Sequence, residues 1–389
     1  MGLIESIFLI FGGAAILSAL ALFARQPMLL AYILLGMILG PSALGWLSNA
    51  AVLNEIAEFG IIFLLFLVGL DLQPSKLRNL LTESMLTAVA TSSVFFICAT
   101  AIMLSFQFSL QDSAIIGLAM IFSSTILGIK LLPTTALHHR PIGETVISLL
   151  LIQDLLAIFA LVFFDTLNPN SSDSPVGLRL LNIGLGLPAL ALSALLTVRY
   201  VIEPLIRRFD AFHEFIFLLA IGWCLAIATA AHWLGLSYAI GAVIAGISLA
   251  TSPIALYIAD NLKPLRDFFL VLFFFTVGAG INIAMLATLW APVSILAIVL
   301  VLLKPPVFRW VLQNQSTPKP VAKEVGVRLG QASEFSLLVS YVAISAGLIS
   351  TEAAFVLEAA TVLTLLLSSY WVVTRYPSPV ATDPALRRD

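Results

Sequence analysis

Predominantly apolar stretches, parted by short polar connections, occupy almost the whole chain, with runs such as Val52 to Leu70 and Ala291 to Leu303. Runs of this length predict helices that cross a bilayer, since the hydrocarbon core needs about 20 apolar residues at 1.5 Å each. We predict about thirteen segments, allowing short and broken ones. They start near Ile4, Met28, Val52, Thr82, Gln111, Pro141, Leu178, Phe212, Leu236, Pro264, Ile283, Val321 and Thr351. The first, to about Phe23, has no basic leader and no small-residue cleavage site, so it is expected to be a retained span.

Two of these segments resemble two later ones. Leu29 to Gly40 parallels Leu236 to Gly246, and Phe63 to Leu70 parallels Leu272 to Ala279. On this segment order the partners lie an odd number of helices apart and cross in opposite senses, as in the inverted repeats of secondary transporters. Chance likeness between apolar helices is the other reading. The expected organisation is a single transporter domain over 1–389: repeat one about 4–167, a linker helix about 178–208, repeat two about 212–375, and a tail at 376–389. The Asn/Ser/Asp/Pro-rich stretch 168–177 reads as an exterior loop.

Composition turns the pattern into a class. The chain is 60% hydrophobic and 10% charged, against about 25% charged in soluble domains. A net charge of -2 argues against nucleic acid as a partner. Cys98 and Cys224 both sit in apolar segments, which points to neither a disulfide framework nor a metal cluster. Of the four histidines, His138 and His139 fall in a basic loop and His213 and His232 near segment ends, so no catalytic constellation suggests an enzyme, and no cofactor is expected. Basic residues gather in alternate loops: Arg25, Lys76 with Arg78, Arg140, Arg207 with Arg208, Lys263 with Arg266, Arg309 with Lys319 and Lys323, and the C-terminal arginines. Arg179 is the exception. By the positive-inside rule the N-terminus faces out and the C-terminus the cytoplasm, in a cell inner membrane.

The polar residues inside apolar segments carry the candidate chemistry. Asp154 follows Gln153 in a stretch from about Pro141 to Leu167, with Leu150, Leu151, Ala157 and Ile158 as helical neighbours. An ionisable group at bilayer depth costs about 2.5 kcal/mol or more and reads by default as an ion or proton site. Lys304 follows the apolar run 291–303 and either snorkels to the cytoplasmic interface or serves as counter-ion to Asp154. Pro305 and Pro306 are expected to kink the helix and free carbonyls near Val301 and Leu302. Ser123-Ser124-Thr125 interrupts the fifth segment, and Gly330-Gln331-Ala332-Ser333-Glu334-Phe335 interrupts its counterpart. Unwound backbone there would offer carbonyls to a cation. Helix-to-helix hydrogen bonding is the alternative for the first cluster, and a cytoplasmic helix start, the reading favoured, for Gln331 and Glu334.

Together these residues identify a resemblance. Ser123-Ser124-Thr125, Gln153-Asp154, Phe273-Phe274 with Val277-Gly278, Lys304 and Leu329 to Phe335 are similar to the transporter domain of Kef-type potassium:proton antiporters, within the second monovalent cation:proton antiporter family. The resemblance implies an all-α polytopic fold with inverted repeats and two crossing discontinuous helices, a dimer with a scaffold and a mobile core, and Asp154 as the ion-binding carboxylate. On that reading Asp154, Gln153, Ser123, Ser124 and Thr125 bind cation or proton. Lys304 is the counter-ion, and Gln331, Ser333 and Glu334 support the site. The cargo is K+ or Na+ against H+, held by one carboxylate that takes one or the other.

The chain also departs from that family. It has no Gly-x-Gly-x-x-Gly run, and the acidic regulatory loop is reduced to Asp260, so nucleotide or glutathione gating is not expected. A separate cytoplasmic regulatory subunit stays open as a partner. Glu358, two turns into the last helix, has no counterpart and is assigned to a scaffold or interfacial role. The rival functions are an uncoupled, channel-like efflux pathway and a non-transporting sensor.

Overall fold

The computed structural model describes residues 3–24, 26–46, 50–72, 74–133, 141–166, 185–209, 212–252 and 255–379. Expectations resting on Arg25, His138, His139, Arg140, Arg179, the 168–177 loop and the tail beyond 379 fall outside this set, as do those on the side chains of Lys76 and Arg78. The described elements are helical: α1 (Leu3–Phe23), α2 (Met28–Leu39), α3 (Ala50–Asp71), α4 (Pro74–Ser105), α5 (Leu110–Ala119), α6 (Thr125–Lys130) and α7 (Pro141–Thr166). The second half contributes α8 (Leu187–Arg208), α9 (His213–Trp233), α10 (Tyr238–Ala250), α11 (Ala255–Gly280), α12 (Ile283–Asn314), α13 (Lys319–Arg328), α14 (Glu334–Ser345) and α15 (Thr351–Arg375). Length and apolar composition single out seven of these as able to cross a membrane, fewer than the thirteen segments expected. Five further apolar helices are shorter: α2, α5, α10, α14 and the Phe59–Asp71 part of α3. The predicted starts fall in or beside helices, except Leu178, which is outside the described residues.

Polar caps set where several helices begin. Ser237 accepts from Ile240 N ahead of α10, Asn282 from Ala284 N ahead of α12, and Ser350 from Ala353 N ahead of α15. Pro305 and Pro306 lie inside α12, which continues as one helix through both. Pro305 packs against α13. Gly326 of α13 lies so close to Pro305 that an added Cβ would stand 2.5 Å from its carbonyl oxygen.

The contacts divide the chain into two compact units, one of 1–49, 80–161 and 274–389, the other of 50–79 and 162–273. The first contains α5, α6 and α12–α15. In it α2 meets the end of α11 through glycine. A Cβ on Gly36 would overlap the Phe275 carbonyl, and one on Gly278 the Ile33 carbonyl. The second unit repeats the device with the other member of each predicted pair. A Cβ on Gly246 of α10 would overlap the Phe66 carbonyl of α3, and one on Gly69 would lie 2.7 Å from Val243 O. The register that carries Phe63–Leu70 onto Leu272–Ala279 carries Gly69 onto Gly278. The repeat therefore appears as two backbone-to-backbone crossings of matching helices.

The second unit also holds Phe63 stacked on Phe269 at 4.8 Å. In α8 a π-helical turn, Val198–Ile202, interrupts the α-helix. A π turn accommodates one extra residue per turn.

Gly278→Ala and Gly246→Ala are expected to lower the thermal unfolding midpoint in detergent, each costing about 1–3 kcal/mol through overpacking against backbone. Gly222→Ala on α9 is the control. Nothing lies within 4 Å of its Cβ position, so removing a helix glycine there should be neutral or stabilising.

Candidate ion site at two paired helix breaks

Residues 120–124 separate α5 from α6, and residues 329–333 separate α13 from α14. Neither break contains proline. Ser124 caps α6, its hydroxyl accepting from Leu127 N at 3.1 Å. Ser333 caps α14 in a capping box with Ser336. The two caps correspond in the repeat, so each discontinuity is restarted by the same serine device.

A break at bilayer depth leaves amides and carbonyls that lipid cannot satisfy. Here side chains take them up. Ser123 N donates to Gln153 Oε1 at 3.0 Å, and Gln153 Nε2 donates to Ile121 O at 3.4 Å. In the second break Ala332 N donates to Thr364 Oγ1 at 2.9 Å. The register that pairs the caps also pairs Ser123 with Ala332, so Gln153 on α7 and Thr364 on α15 do the same work. The breaks are tied to each other as well. Ser123 Oγ donates to Leu329 O at 2.9 Å, Gln331 Nε2 to Ser124 O at 3.5 Å, and Ser336 Oγ to Ala119 O at 2.7 Å.

Lys304 belongs to this arrangement. It is fully buried, so it does not snorkel. Its Nζ donates to Phe122 O at 2.7 Å and Gln331 O at 2.9 Å, one carbonyl from each break, and lies 5.3 Å from the centroid of the Phe95 ring. Both carbonyls follow the C-terminal end of a half-helix, where the helix dipole is negative. Glu334 stands at the opposite ends. Its Oε1 accepts from Ile126 N in the first turn of α6 at 3.3 Å, and its Oε2 from Ser333 Oγ ahead of α14 at 3.4 Å. One cation thus serves two helix C-termini and one carboxylate two N-termini.

Asp154 is 5% exposed, and Thr125 Oγ1 lies 2.9 Å from each of its carboxylate oxygens. Thr125 is the first residue of α6, so the carboxylate is held at the end of the first break.

The structure brings all the predicted site residues into one unit but redistributes their contacts. The Gln153 amide, the Ser123 and Ser124 hydroxyls and the carbonyls of Phe122 and Gln331 are engaged by other protein groups. Gln331 lies in the second break and Glu334 opens α14, and at 2% and 9% exposure they do not form the solvent-facing helix start that the sequence favours. Sequence reasoning missed Thr364, Ser336, Ser368, whose Oγ donates to Gln331 Oε1 at 2.8 Å, and Arg328. Arg328 is buried and donates to Leu131 O at 2.8 Å, to Pro377 O at 2.8 Å and to Glu324 at 2.7 Å. The signal available was the spacing of Thr361, Thr364 and Ser368, three and four residues apart on one face of an apolar helix.

The chain is similar to known proteins along nearly its whole length. Residues 7–374 match the family described as "Sodium/hydrogen exchanger, transmembrane". The iron transporter MagA of Paramagnetospirillum magneticum is 27% identical over 350 residues, covering 90% of this chain and 80% of that protein. K(+) efflux antiporter 6 of Arabidopsis thaliana is 27% identical over 88% of this chain, and K(+) efflux antiporter 5 is 28% identical over 80%. The chain spans 58% and 56% of the lengths of those two antiporters. The sodium proton antiporter MjNhaP1 from Methanocaldococcus jannaschii at pH 8 superposes with a TM-score of 0.67 at 17% identity over 95% of both chains. An electron-microscopy structure of the same protein gives 0.58 at 20% identity. These two establish a shared sodium/proton-antiporter fold.

Thr364→Val leaves Ala332 N without its acceptor and should cost about 1–3 kcal/mol, read as a lower unfolding midpoint in detergent. Lys304→Met strips both breaks at once and should cost more. A Lys304→Met protein as stable as wild type would remove the lysine from its structural role.

Proposed function

The chain belongs to the sodium/hydrogen exchanger family, and on that premise we propose that it exchanges a monovalent cation, K+ or Na+, for protons by competition at Asp154. The observation that carries the reading is a carboxylate 5% exposed, near the middle of an apolar helix long enough to span a membrane, beside a paired helix break. Relatives bear the names of iron, potassium and sodium carriers, so the cation is argued from the donor set. One carboxylate and one hydroxyl from Thr125 supply hard oxygens and a single negative charge, which suits an alkali cation better than iron.

The mechanism follows from single occupancy. Asp154 holds a proton or a dehydrated cation, not both, and exchange is obligatory when only loaded forms cross between the two faces of the membrane. Gln153, Ser123, Ser124, Gln331 and Ser333 serve by holding the breaks in shape. Lys304 acts on the site through the carbonyls it binds and the field it sets up, and this is how it functions as a counter-ion. On this reading Lys304, donating to two carbonyls beside the Phe95 ring, keeps its proton through the cycle, so that one proton exchanges for one cation and transport is electroneutral. The repeat boundaries given above, a homodimer and an inner-membrane location with the N-terminus outside belong to the same reading.

The test is reconstitution into liposomes with an internal pH dye, followed by addition of Na+ or K+ in turn. Cation-driven proton movement distinguishes the antiporter from an uncoupled channel and from a sensor. Asp154→Asn is expected to abolish it in a protein that still unfolds cooperatively, and exchange by that variant at near wild-type rate would sink the proposal. Because proton and cation compete, the apparent cation KM should fall about tenfold per unit rise in pH until the site is ionised, then level off. Under a clamped membrane potential the reversal point should not move with voltage; a voltage-dependent reversal would show that Lys304 also gives up its proton.

A further inference from the structure

The exchange at Asp154 leaves a second intramembrane carboxylate without a task. Glu358 lies on α15 about two turns from Thr351, roughly 10 Å along the helix axis. It is half-buried, and Ser340 Oγ of α14 donates to its Oε1 at 2.8 Å. Holding α14 against α15 does not account for it. An ionisable side chain at this depth costs about 2.5 kcal/mol or more, whereas an interhelical hydrogen bond in a bilayer returns about 0.6–2 kcal/mol. A glutamine would make the same bond without the charge.

Two rows of hydroxyls lead from Glu358 towards the paired breaks. On α15, Thr361, Thr364 and Ser368 continue its face at helical spacing and are all buried. Thr364 takes the Ala332 amide and Ser368 binds the Gln331 side chain, both in the second break. On α14, Ser340 and Ser336 stand one turn apart, and Ser336 accepts from the Ser333 amide at the edge of the second break. We propose that Glu358 is a second proton-binding carboxylate of the transporter, loaded from the membrane face at which α15 begins and coupled through these hydroxyl rows to the second break. The inference rests on the antiporter reading above.

The other ionisable groups on the elements packed against α15 stand elsewhere or are engaged. α14 brings Tyr341 beside Ser340 and Glu334 at its own start. Asp112 of α5 is bonded by the amide and hydroxyl of Ser350, ahead of α15. Lys304 of α12 is held on the far side of the break, and Arg309 follows it. Arg328 and Glu324 of α13 pair with each other beside Pro377, past the other end of α15, and α13 also carries Lys319 and Lys323. α2 contributes Tyr32.

The experiment uses the full chain in oriented liposomes, with pH varied only on the face where α15 begins. In wild type the rate should respond to that pH. In Glu358→Gln the response should shrink at least tenfold while the response to pH on the opposite face is kept, and Glu358→Asp should restore it. A Gln variant with both responses unchanged overturns the proposal. Should Glu358→Gln fail to fold, Ser340→Ala keeps the carboxylate and removes its donor, and an unshifted pH response in that variant is equally damaging. A transport-independent readout separates this proposal from the antiporter reading. In an infrared pH titration of the purified protein, one protonated-carboxyl band present in wild type should be missing from Glu358→Gln. Identical titrations overturn the second proton site even where exchange is found, and a missing band sustains it even where exchange is not.

Discussion

Everything at the centre of this molecule depends on one requirement: backbone groups exposed by a helix break inside a bilayer must find partners in the protein. An unbroken helix satisfies its own amides and carbonyls, and lipid supplies nothing to one that is interrupted. Two interruptions side by side double the demand. They also permit a shared solution, in which Ser123 of one break donates to Leu329 of the other and Lys304 donates to both. The geometry around Asp154 is therefore a by-product of backbone accounting. Thr125 can present its hydroxyl to the carboxylate because Ser124 restarts the helix there and Gln153, the neighbour of Asp154, holds Ser123 in place.

The same requirement explains the placement of charge. Two half-helices end and two begin at the breaks, so two negative and two positive dipole ends converge in the buried interior of the unit. Separate compensation would need four charges. Lys304 placed between the two ends and Glu334 between the two beginnings meet all four with two side chains. The deeply buried pair is tolerated because each member is bonded to polar groups that would otherwise be stranded.

How much of this was readable in the amino-acid sequence varied with the kind of partner involved. Asp154, Gln153 and Lys304 stand out because a polar residue in a long apolar run has few benign explanations. The matching glycines and the Ser-Ser-Thr run were visible for the same reason. The partners of Lys304 were not visible, because a backbone carbonyl has no residue-type signature and any residue at 122 or 331 would offer one. Gln331 and Glu334 were misplaced because a polar cluster beside basic residues looks the same at a cytoplasmic boundary and at a break. Thr364 and Ser368 are too ordinary in membrane helices to be noticed until their acceptors and donors are known.

The π turn in α8 has a consequence for phase. In a straight α-helix a residue twelve places along has rotated by about 120° relative to its starting point. Leu195, Arg199, Glu203 and Arg207 nevertheless line a single cavity of about 880 Å³ with Pro204 and Thr251. Steps of four residues overshoot an α-helical turn but nearly match a π-helical one, and Val198–Ile202 absorbs much of the overshoot where it would begin to accumulate. A helical wheel drawn through Leu187–Arg208 on the ordinary period would spread these four side chains over an arc of about 120°. The π turn narrows that arc, so the polar edge of α8 runs straighter along the helix than the ordinary period implies.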